Sequence, residues 1–455
     1  MNIKNFDFKS TLPAFPKWVR YRQEKNAFIT IFNLKADRIY YMKDPFGIDI
    51  KILSLLSKGD ISVEELFIAL GIRKQAIASF LIRFIQTIFQ KAINEEENIN
   101  GEENKIFTLR KIPKNKLPKL IAPLAIELLV TYQCNSQCRH CLVGDYRYSN
   151  ESDMPLDYIK KIAYQANESN IYKIILTGGE SIARKDFFDV MDILSVVPSI
   201  EIATNGLLLN ENIVKRLNKY PVSRYIISLE GASAKIHEFI RGKGSFKKTL
   251  KGIKNLRKLS KAYGIEVKVA CGKHNIFEIE KIINLCINLG IEAVEFGRLN
   301  PWGWGRALSN YCISGKSLFE LDQTIKEMKE KYKGCIIIEG DALPSQFRDS
   351  CGIGAGFAIQ PNGNVLPCRI FELAPTKEVI LGNIAKQKLL EIWNSSKAKN
   401  MKNYVDSLAK SAIACKMCKF YNVCSFPHCL ARAFISSPNQ SLQEAIKLSK
   451  CPGPN

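Results

Sequence analysis

Three cysteines in eight residues, Cys134-Asn-Ser-Gln-Cys138-Arg-His-Cys141, follow closely on the apolar run IAPLAIELLVTY. The run reads as a buried strand, and Tyr132-Gln133 lead off it into a loop. Thiols spaced three and then two residues apart have the reach to hold three corners of one iron–sulfur cube, whose usual ligands are cysteine thiolates. With three cysteines in the stretch, the fourth iron is left open for a small ligand. Ligands on a loop leaving the C-terminal end of a strand sit where α/β barrels keep their chemistry. The plainer alternatives are a structural zinc site or three unrelated buried thiols. Zinc sites normally arrange thiols as two CxxC pairs, and this stretch holds one such pair, Cys138 and Cys141, with the third thiol, Cys134, set off from it by three intervening residues.

Residues 119–340 alternate apolar runs with amphipathic helical patterns, the signature of βα units around a parallel sheet. The strands are IELLVTY, KIILTGG, IEIATN, RYIISLE, IEVKVAC and IEAVEFG, and six units predict a partial (β/α)6 barrel. Polar motifs fall at the strand ends. Gly178-Gly179-Glu180 follows KIILT, where glycines leave the backbone unobstructed and a carboxylate can accept hydrogen bonds from an ammonium group. Thr204-Asn205-Gly206 closes IEIAT, Ser228 ends RYIIS, and Arg241 lies in IRGKGSF. A guanidinium fork suits a carboxylate; the plainer alternative for Arg241 is a surface salt bridge. His140 stands inside the cysteine stretch, and the run RLNPWGWGRA at 298–307 leaves the last strand with two tryptophans.

The CxxxCxxC spacing followed by GGE resembles the radical SAM superfamily. The resemblance implies that the open iron binds the amino and carboxylate groups of S-adenosylmethionine. It further implies that Gly178, Gly179 and Glu180 bind the amino group, with Ser181 where the family usually has proline. Thr204 and Asn205 would face the ribose and methionine, Ser228 and Arg241 would contact ribose or carboxylate, and His140 would pack beside adenine.

Residues 345–455 carry a second cysteine pattern: Cys351 and Cys368 flank the turn sequence Pro361-Asn362-Gly363-Asn364, then Cys415-x2-Cys418-x5-Cys424-x4-Cys429, then Cys451. Asn-Gly between short apolar runs predicts a hairpin. The pattern resembles the SPASM extension, with four residues before Cys429 where three are usual. The resemblance implies two auxiliary [4Fe–4S] clusters, hence three in all. Cys415, Cys418, Cys424 and Cys451 would complete the distal one, and Cys351, Cys368 and Cys429 would serve the proximal one. No further cysteine lies just upstream of Cys351; the nearest is Cys335, whose apolar setting KGCIIIEG also fits a plain buried thiol. Cys271 and Cys286 read as core.

Residues 1–95 show three hairpin-like strands, WVRYRQ, FITIFN and RIYYM, and then three helical patterns, GIDIKILSLLSK, VEELFIALG and KQAIASFLIRFIQTIFQKAI. This winged-helix-like α+β order resembles the PqqD-like element that binds leader peptides by strand addition; a DNA-binding winged helix gives a similar order. The acidic and proline-bearing stretch 96–118 reads as a linker. The net charge of +22 permits a nucleic-acid or acidic-peptide partner, but its lysines are spread along the chain, as a lysine-rich proteome would also make them.

No apolar run reaches membrane-spanning length and the N-terminus lacks a signal-peptide core, so the expected location is the cytoplasm. Fourteen cysteines there point to metal ligands before disulfides. Together the resemblances imply a radical SAM/SPASM peptide maturase, similar to subtilosin-maturase-type enzymes, that forms a sulfur-to-carbon thioether in a leader-bearing precursor peptide through a 5′-deoxyadenosyl radical. They imply a flavodoxin- or ferredoxin-type electron donor, and no membrane or nucleic-acid partner. Other radical outcomes (C–C crosslinking, epimerisation, formylglycine formation) and a redox-sensing nucleic-acid-binding protein are the alternatives. No residue is assigned as a general base.

Overall fold

The computed structural model describes residues 11–12, 19–24, 28–33, 38–43, 53–55, 61–62, 65, 120–147, 153–262, 264–340, 353–373, 376–411, 430–435, 441 and 444. They fall in two compact units, Met1–Ile121 and Ala122–Asn455.

In the first unit β1 (Thr11–Leu12) pairs antiparallel with β5 (Ile61–Ser62). The strands β2 (Val19–Glu24), β3 (Phe28–Asn33) and β4 (Arg38–Lys43) form an antiparallel meander, in register from Val19↔Asn33 and Phe28↔Lys43. These are the three strands the aromatic and β-branched runs predict. Within this sheet β2 and β4 are the edges. The three predicted helical patterns lie outside the described residues, except for helical positions at 53–55 and 65.

The second unit is built on parallel strands β6 (Ala125–Leu129), β7 (Lys173–Thr177), β8 (Ile200–Thr204), β9 (Val222–Ser228), β10 (Gly264–Cys271) and β11 (Ala293–Arg298). All six predicted strands are present. A seventh, β12 (Ile337–Gly340), adds in parallel to β11, from a short apolar run that the six-unit pattern did not count. Between the strands run helices α1 (Leu156–Glu168), α2 (Phe187–Leu194), α3 (Glu211–Leu217), α4 (Ala234–Arg241), α5 (Ser245–Leu259), α6 (Ile279–Asn288) and α7 (Gly315–Lys331). Nor does the sheet stop near residue 340. β13 (Gly356–Ile359) pairs in parallel with β6, and β14 (Asn364–Leu366) and β15 (Gly382–Asn383) extend it antiparallel. The predicted turn at Pro361–Asn364 joins β13 to β14, with Gly363 at φ +84°. Helices α8 (Leu389–Asn394), α9 (Ser396–Ser411) and α10 (Leu430–Ile435) follow.

Period-two alternation divides the two faces of the strands. Ile265, Val267, Val269 and Cys271 of β10 are buried in the core, as are Ile159, Ile162, Ala163 and Ala166 of α1, which recur at helical spacing. Each buried Ile or Val side chain among them contributes roughly 1.5–3 kcal/mol. The alternate positions carry charge. Lys173, Glu201, Arg224, Glu266, Lys268 and Glu295 form a cross-strand ladder with contacts of 2.8 Å (Lys173–Glu201) and 2.9 Å (Lys268–Glu295) at its ends. Cys286 is core as expected, whereas Cys335 is exposed, because its turn precedes β12 instead of forming part of it. Among the described residues, no helix is long and apolar enough to cross a membrane.

Candidate functional site

The loop leaving β6 is tied down before it reaches its thiols. Thr131 Oγ1 donates to Asp153 Oδ1 at 2.5 Å and accepts from Gln133 N at 3.0 Å. Arg147 Nη2 donates to the carbonyl of Cys134 at 2.7 Å, and Arg139 N donates to the carbonyl of Ile240 at 2.9 Å. From the other side comes the loop after β11. Trp304 N donates to the Cys141 carbonyl at 3.0 Å, the Trp304 ring leaves no room for a Cβ on Gly144, and Arg147 stacks over that ring at 5.6 Å. The tryptophan-rich run therefore clamps the cysteine loop, while its Trp302 reaches the cavity wall.

Gly178 and Gly179 are glycines because they lie on that loop's backbone. Gly178 has φ +131°, and a Cβ on Gly179 would stand 2.1 Å from the Gln133 carbonyl. In return, Gly179 N donates to Thr131 O at 2.7 Å and Glu180 N to Gln133 O at 2.8 Å. The Glu180 side chain is buried behind the cavity, not in its wall. Its Oε2 accepts from Asn205 N at 2.8 Å and its Oε1 from Ile182 N at 3.4 Å, so it fastens the end of β7 to that of β8. Burial pushes its carboxyl up to about 7. Asn205 Nδ2 donates to Asn135 Oδ1 at 2.8 Å, joining the end of β8 to the cysteine loop.

A cavity of about 450 Å³ opens among these elements, within the range of small-molecule sites. Cys134, Cys138, Cys141, His140, Gly178, Gly179, Thr204, Asn205, Ser228 and Arg241 all line it, so every predicted cofactor residue except Glu180 is brought to one place. Lys268, Arg298, Trp302, Arg369 and Ile370 complete much of the wall. Of the predicted auxiliary ligands, Cys368 is half-buried beside Arg369, while Cys351, Cys415, Cys418, Cys424, Cys429 and Cys451 lie outside the described residues.

Arg241 is held by Glu230, which no sequence motif marks. Its Nε and Nη2 donate to Glu230 Oε1 at 2.9 and 2.5 Å, and its Nη1 faces Cys138 Sγ at 3.6 Å. Glu230 Oε2 accepts from Ala270 N at 2.7 Å. Burial alone would push Glu230 up, but Arg241 and then His140 hold it at about 2. Burial, followed by the charge of Arg241, lowers His140 to about 4, so its ring is neutral, and its Nδ1 is buried without a partner. The available signal for Glu230 was an acid two residues past Ser228 at a strand end.

The donor set suits an iron–sulfur cube. Burial pushes the Cys134 thiol up to about 11 and raises that of Cys141 as well, so these sulfurs stay protonated until an electropositive metal takes them. Arg241 and the Asn205 amide, 3.9 Å from Cys134 Sγ, supply hydrogen bonds to sulfur. Among the described residues no three His, Cys, Asp or Glu side chains gather around a single ion; a cube asks for one thiolate on each iron. The partnerless Nδ1 of His140 and the cationic wall offer polar contacts for a zwitterionic nucleoside such as S-adenosylmethionine.

Comparison with known proteins agrees with this chemistry. A family model described as the radical SAM superfamily matches residues 128–286, and one described as the SPASM iron–sulfur cluster-binding domain matches residues 351–419. An AdoMet-dependent heme synthase of Methanosarcina barkeri is 27% identical over 70% of this chain and 93% of its own length. A PqqA peptide cyclase of Rhizobium meliloti is 23% identical over 72% of this chain and 88% of its own length, and the mycofactocin maturase MftC of Mycobacterium tuberculosis 24% over 70% and 81%. Among solved structures, Streptococcus suis SuiB bound to S-adenosylmethionine superposes with a TM-score of 0.65 at 16% identity, covering 94% of this chain and 98% of that one. SuiB bound to its precursor peptide SuiA gives 0.63 at 16% identity, covering 95% and 98%. At these identities the structural likeness is one of fold.

Proposed function

We propose that this chain, carrying a radical SAM domain and a SPASM domain, modifies a ribosomally made precursor peptide by joining a cysteine sulfur to a carbon. The observation that carries this reading is the single cavity that gathers the cysteine loop, the strand-end motifs and the segment after Cys368. When bound, the cluster and S-adenosylmethionine supply one-electron reductive cleavage and a hydrogen-abstracting radical. The chain supplies position. Cys134, Cys138 and Cys141 would hold the cube, with Gly178, Gly179, Thr204, Asn205, Ser228, Arg241 and His140 around the cofactor. Glu180 keeps two of those strand ends together from behind. Cys351, Cys368 and Cys429 are assigned to a proximal auxiliary cluster, and Cys415, Cys418, Cys424 and Cys451 to a distal one.

A peptide substrate is supported by the likeness to a peptide cyclase and a mycofactocin maturase, and by the shared fold with SuiB in its precursor-bound form. The β2-β3-β4 sheet has edge strands to which a leader strand can add, as in PqqD-like elements. A flavodoxin- or ferredoxin-type protein would deliver the electron, in the cytoplasm. The test is anaerobic reaction of the reconstituted protein with S-adenosylmethionine, a reductant and each short Cys-containing peptide that a search of the neighbouring reading frames finds. A product lighter by two hydrogens and no longer alkylated at cysteine is expected. The same mass loss with a free thiol would point instead to a C–C link, and no change in any such peptide would overturn the reading.

A further inference from the structure

Arg369 enters the cavity from outside the cofactor-binding core. It opens a 3₁₀ turn, Arg369–Leu373, immediately after Cys368, in the stretch that matches the SPASM domain. Its Nη1 donates to Thr177 Oγ1 at 3.1 Å and its Nη2 to the Gly178 carbonyl at 3.5 Å, which fixes the guanidinium at the end of β7. Both acceptors are neutral. Its Nε is buried without a partner, and among the described residues Arg369 makes no ion pair.

Two other cations in the wall differ in this respect. Arg241 is matched by Glu230 at 2.5 Å, and Lys268 by Glu295 at 2.9 Å. The acid nearest to Arg369 in sequence, Glu372, is fully buried and accepts from Tyr132 at 3.3 Å. Burial pushes Glu372 up to about 7 against the opposing charge of Arg369, and its Oε2 is buried without a hydrogen-bond partner.

We infer that Arg369 is a carboxylate-binding subsite for the peptide, seating an acidic side chain of the substrate beside Gly178. The inference rests on the proposed peptide-modifying function. A fixed guanidinium with unused donors in a partly enclosed cavity is a strong receptor for a planar carboxylate. S-adenosylmethionine also carries a carboxylate. Its predicted contact Arg241 belongs to the 128–286 match and faces Cys138 Sγ, whereas Arg369 belongs to the stretch that matches the SPASM domain and is fixed at the end of β7. The peptide is therefore the ligand assigned.

The experiment uses the reconstituted holoenzyme, with and without S-adenosylmethionine, and two capped probes, acetyl-Gly-Glu-Gly-amide and its Gln isostere. The Glu probe is expected to bind about tenfold more tightly than the Gln probe. It should also shield Arg369 from phenylglyoxal labelling mapped by mass spectrometry. In R369Q the preference should vanish, in R369K it should return in part, and thermal melting reports whether either variant is folded. Equal binding of the two probes to wild type would overturn the subsite. So would weaker binding of S-adenosylmethionine, but not of its decarboxylated analogue, to R369Q, since Arg369 would then serve the cofactor. Failure of the wild-type holoenzyme to bind S-adenosylmethionine would count against the proposed function, and the Glu/Gln comparison without cofactor would still decide the subsite.

Discussion

Arg241 Nη2 lies 2.5 Å from Glu230 Oε1, and the same guanidinium turns its Nη1 to within 3.6 Å of Cys138 Sγ. Glu230 thus sets the direction of a cation that borders both the cluster loop and the cofactor cavity. Its carboxylate is fully buried, so neutralising it leaves a buried guanidinium without its counter-charge. Breaking a pair of this kind costs about 3–5 kcal/mol. Glu230→Gln is expected to lower the stability of the apoprotein by that order and to weaken S-adenosylmethionine binding at least tenfold. Chemical denaturation and equilibrium dialysis measure the two effects, and an unchanged value in both would remove Glu230 from this role.

Two buried acids predict opposite pH dependences. Glu230 is held at about 2, below its usual 4.5, so its stabilising contribution is complete above about 4.5 and is lost as pH falls toward 2. Glu372 is raised by burial to about 7, so its contribution is complete below about 4.5 and is lost as pH rises through 7. Glu372→Gln keeps an oxygen to accept from Tyr132 and removes the titration. The melting temperature of this variant should therefore fall less than that of wild type between pH 5 and 8. Parallel curves would show that Glu372 does not titrate in this window.

Gly179→Ala places a methyl 2.1 Å from the Gln133 carbonyl and 2.6 Å from that of Tyr132. Neither obstacle is the end of a flexible side chain, so the cysteine loop or the end of β7 must move. The expected result is a folded protein that assembles the cluster at Cys134, Cys138 and Cys141 poorly, read as a loss of charge-transfer absorbance. Full cluster content in this variant would show that the two backbones can separate without effect on the thiols.

Much of this site was legible because its parts sit at strand ends. A period-two apolar run followed by Gly-Gly-Glu or Thr-Asn-Gly fixes both the strand and the position of the motif, and nine of the ten residues brought to the cavity lie at or just past such ends or in the cysteine stretch; Arg241 closes α4. What the sequence hides is direction. Glu180 reads as a cofactor ligand, but its side chain turns inward to the amides of Ile182 and Asn205. Glu230 and Arg369 gain their roles from partners 11 and 192 residues away, a separation that no local pattern encodes. The charged ladder was visible as Glu and Lys alternating with apolar residues in IEIAT and IEVKV, yet alternation alone does not say which face meets the helices.

Replacing Cys134, Cys138 and Cys141 together by Ala should remove about four of roughly twelve irons, if all three cubes are present. Reductive cleavage of S-adenosylmethionine should be abolished. The auxiliary clusters have separate ligands in this assignment, so the remaining iron should keep its absorbance. Cleavage that persisted in the triple variant would sink the radical SAM assignment for this loop.

The last prediction concerns Cys335. If Cys351, Cys368 and Cys429 are the protein ligands of the proximal auxiliary cluster, one iron is left for a substrate thiolate, and the sulfur would be deprotonated and held near its target carbon. Cys335 competes for that position. It is exposed on the turn before β12, and in the order of the sheet seven strands stand between β12 and β14, after which Cys368 follows. An exposed thiol with no packing to lose is a benign place for substitution. Cys335→Ala is therefore expected to keep its full iron content and its melting temperature. Its cluster spectrum should still change when a Cys-containing peptide is added, and should not change with the Ser analogue of that peptide. Loss of about four irons in the variant would make Cys335 the fourth ligand. An intact spectrum indifferent to the peptide thiol would refute the open position.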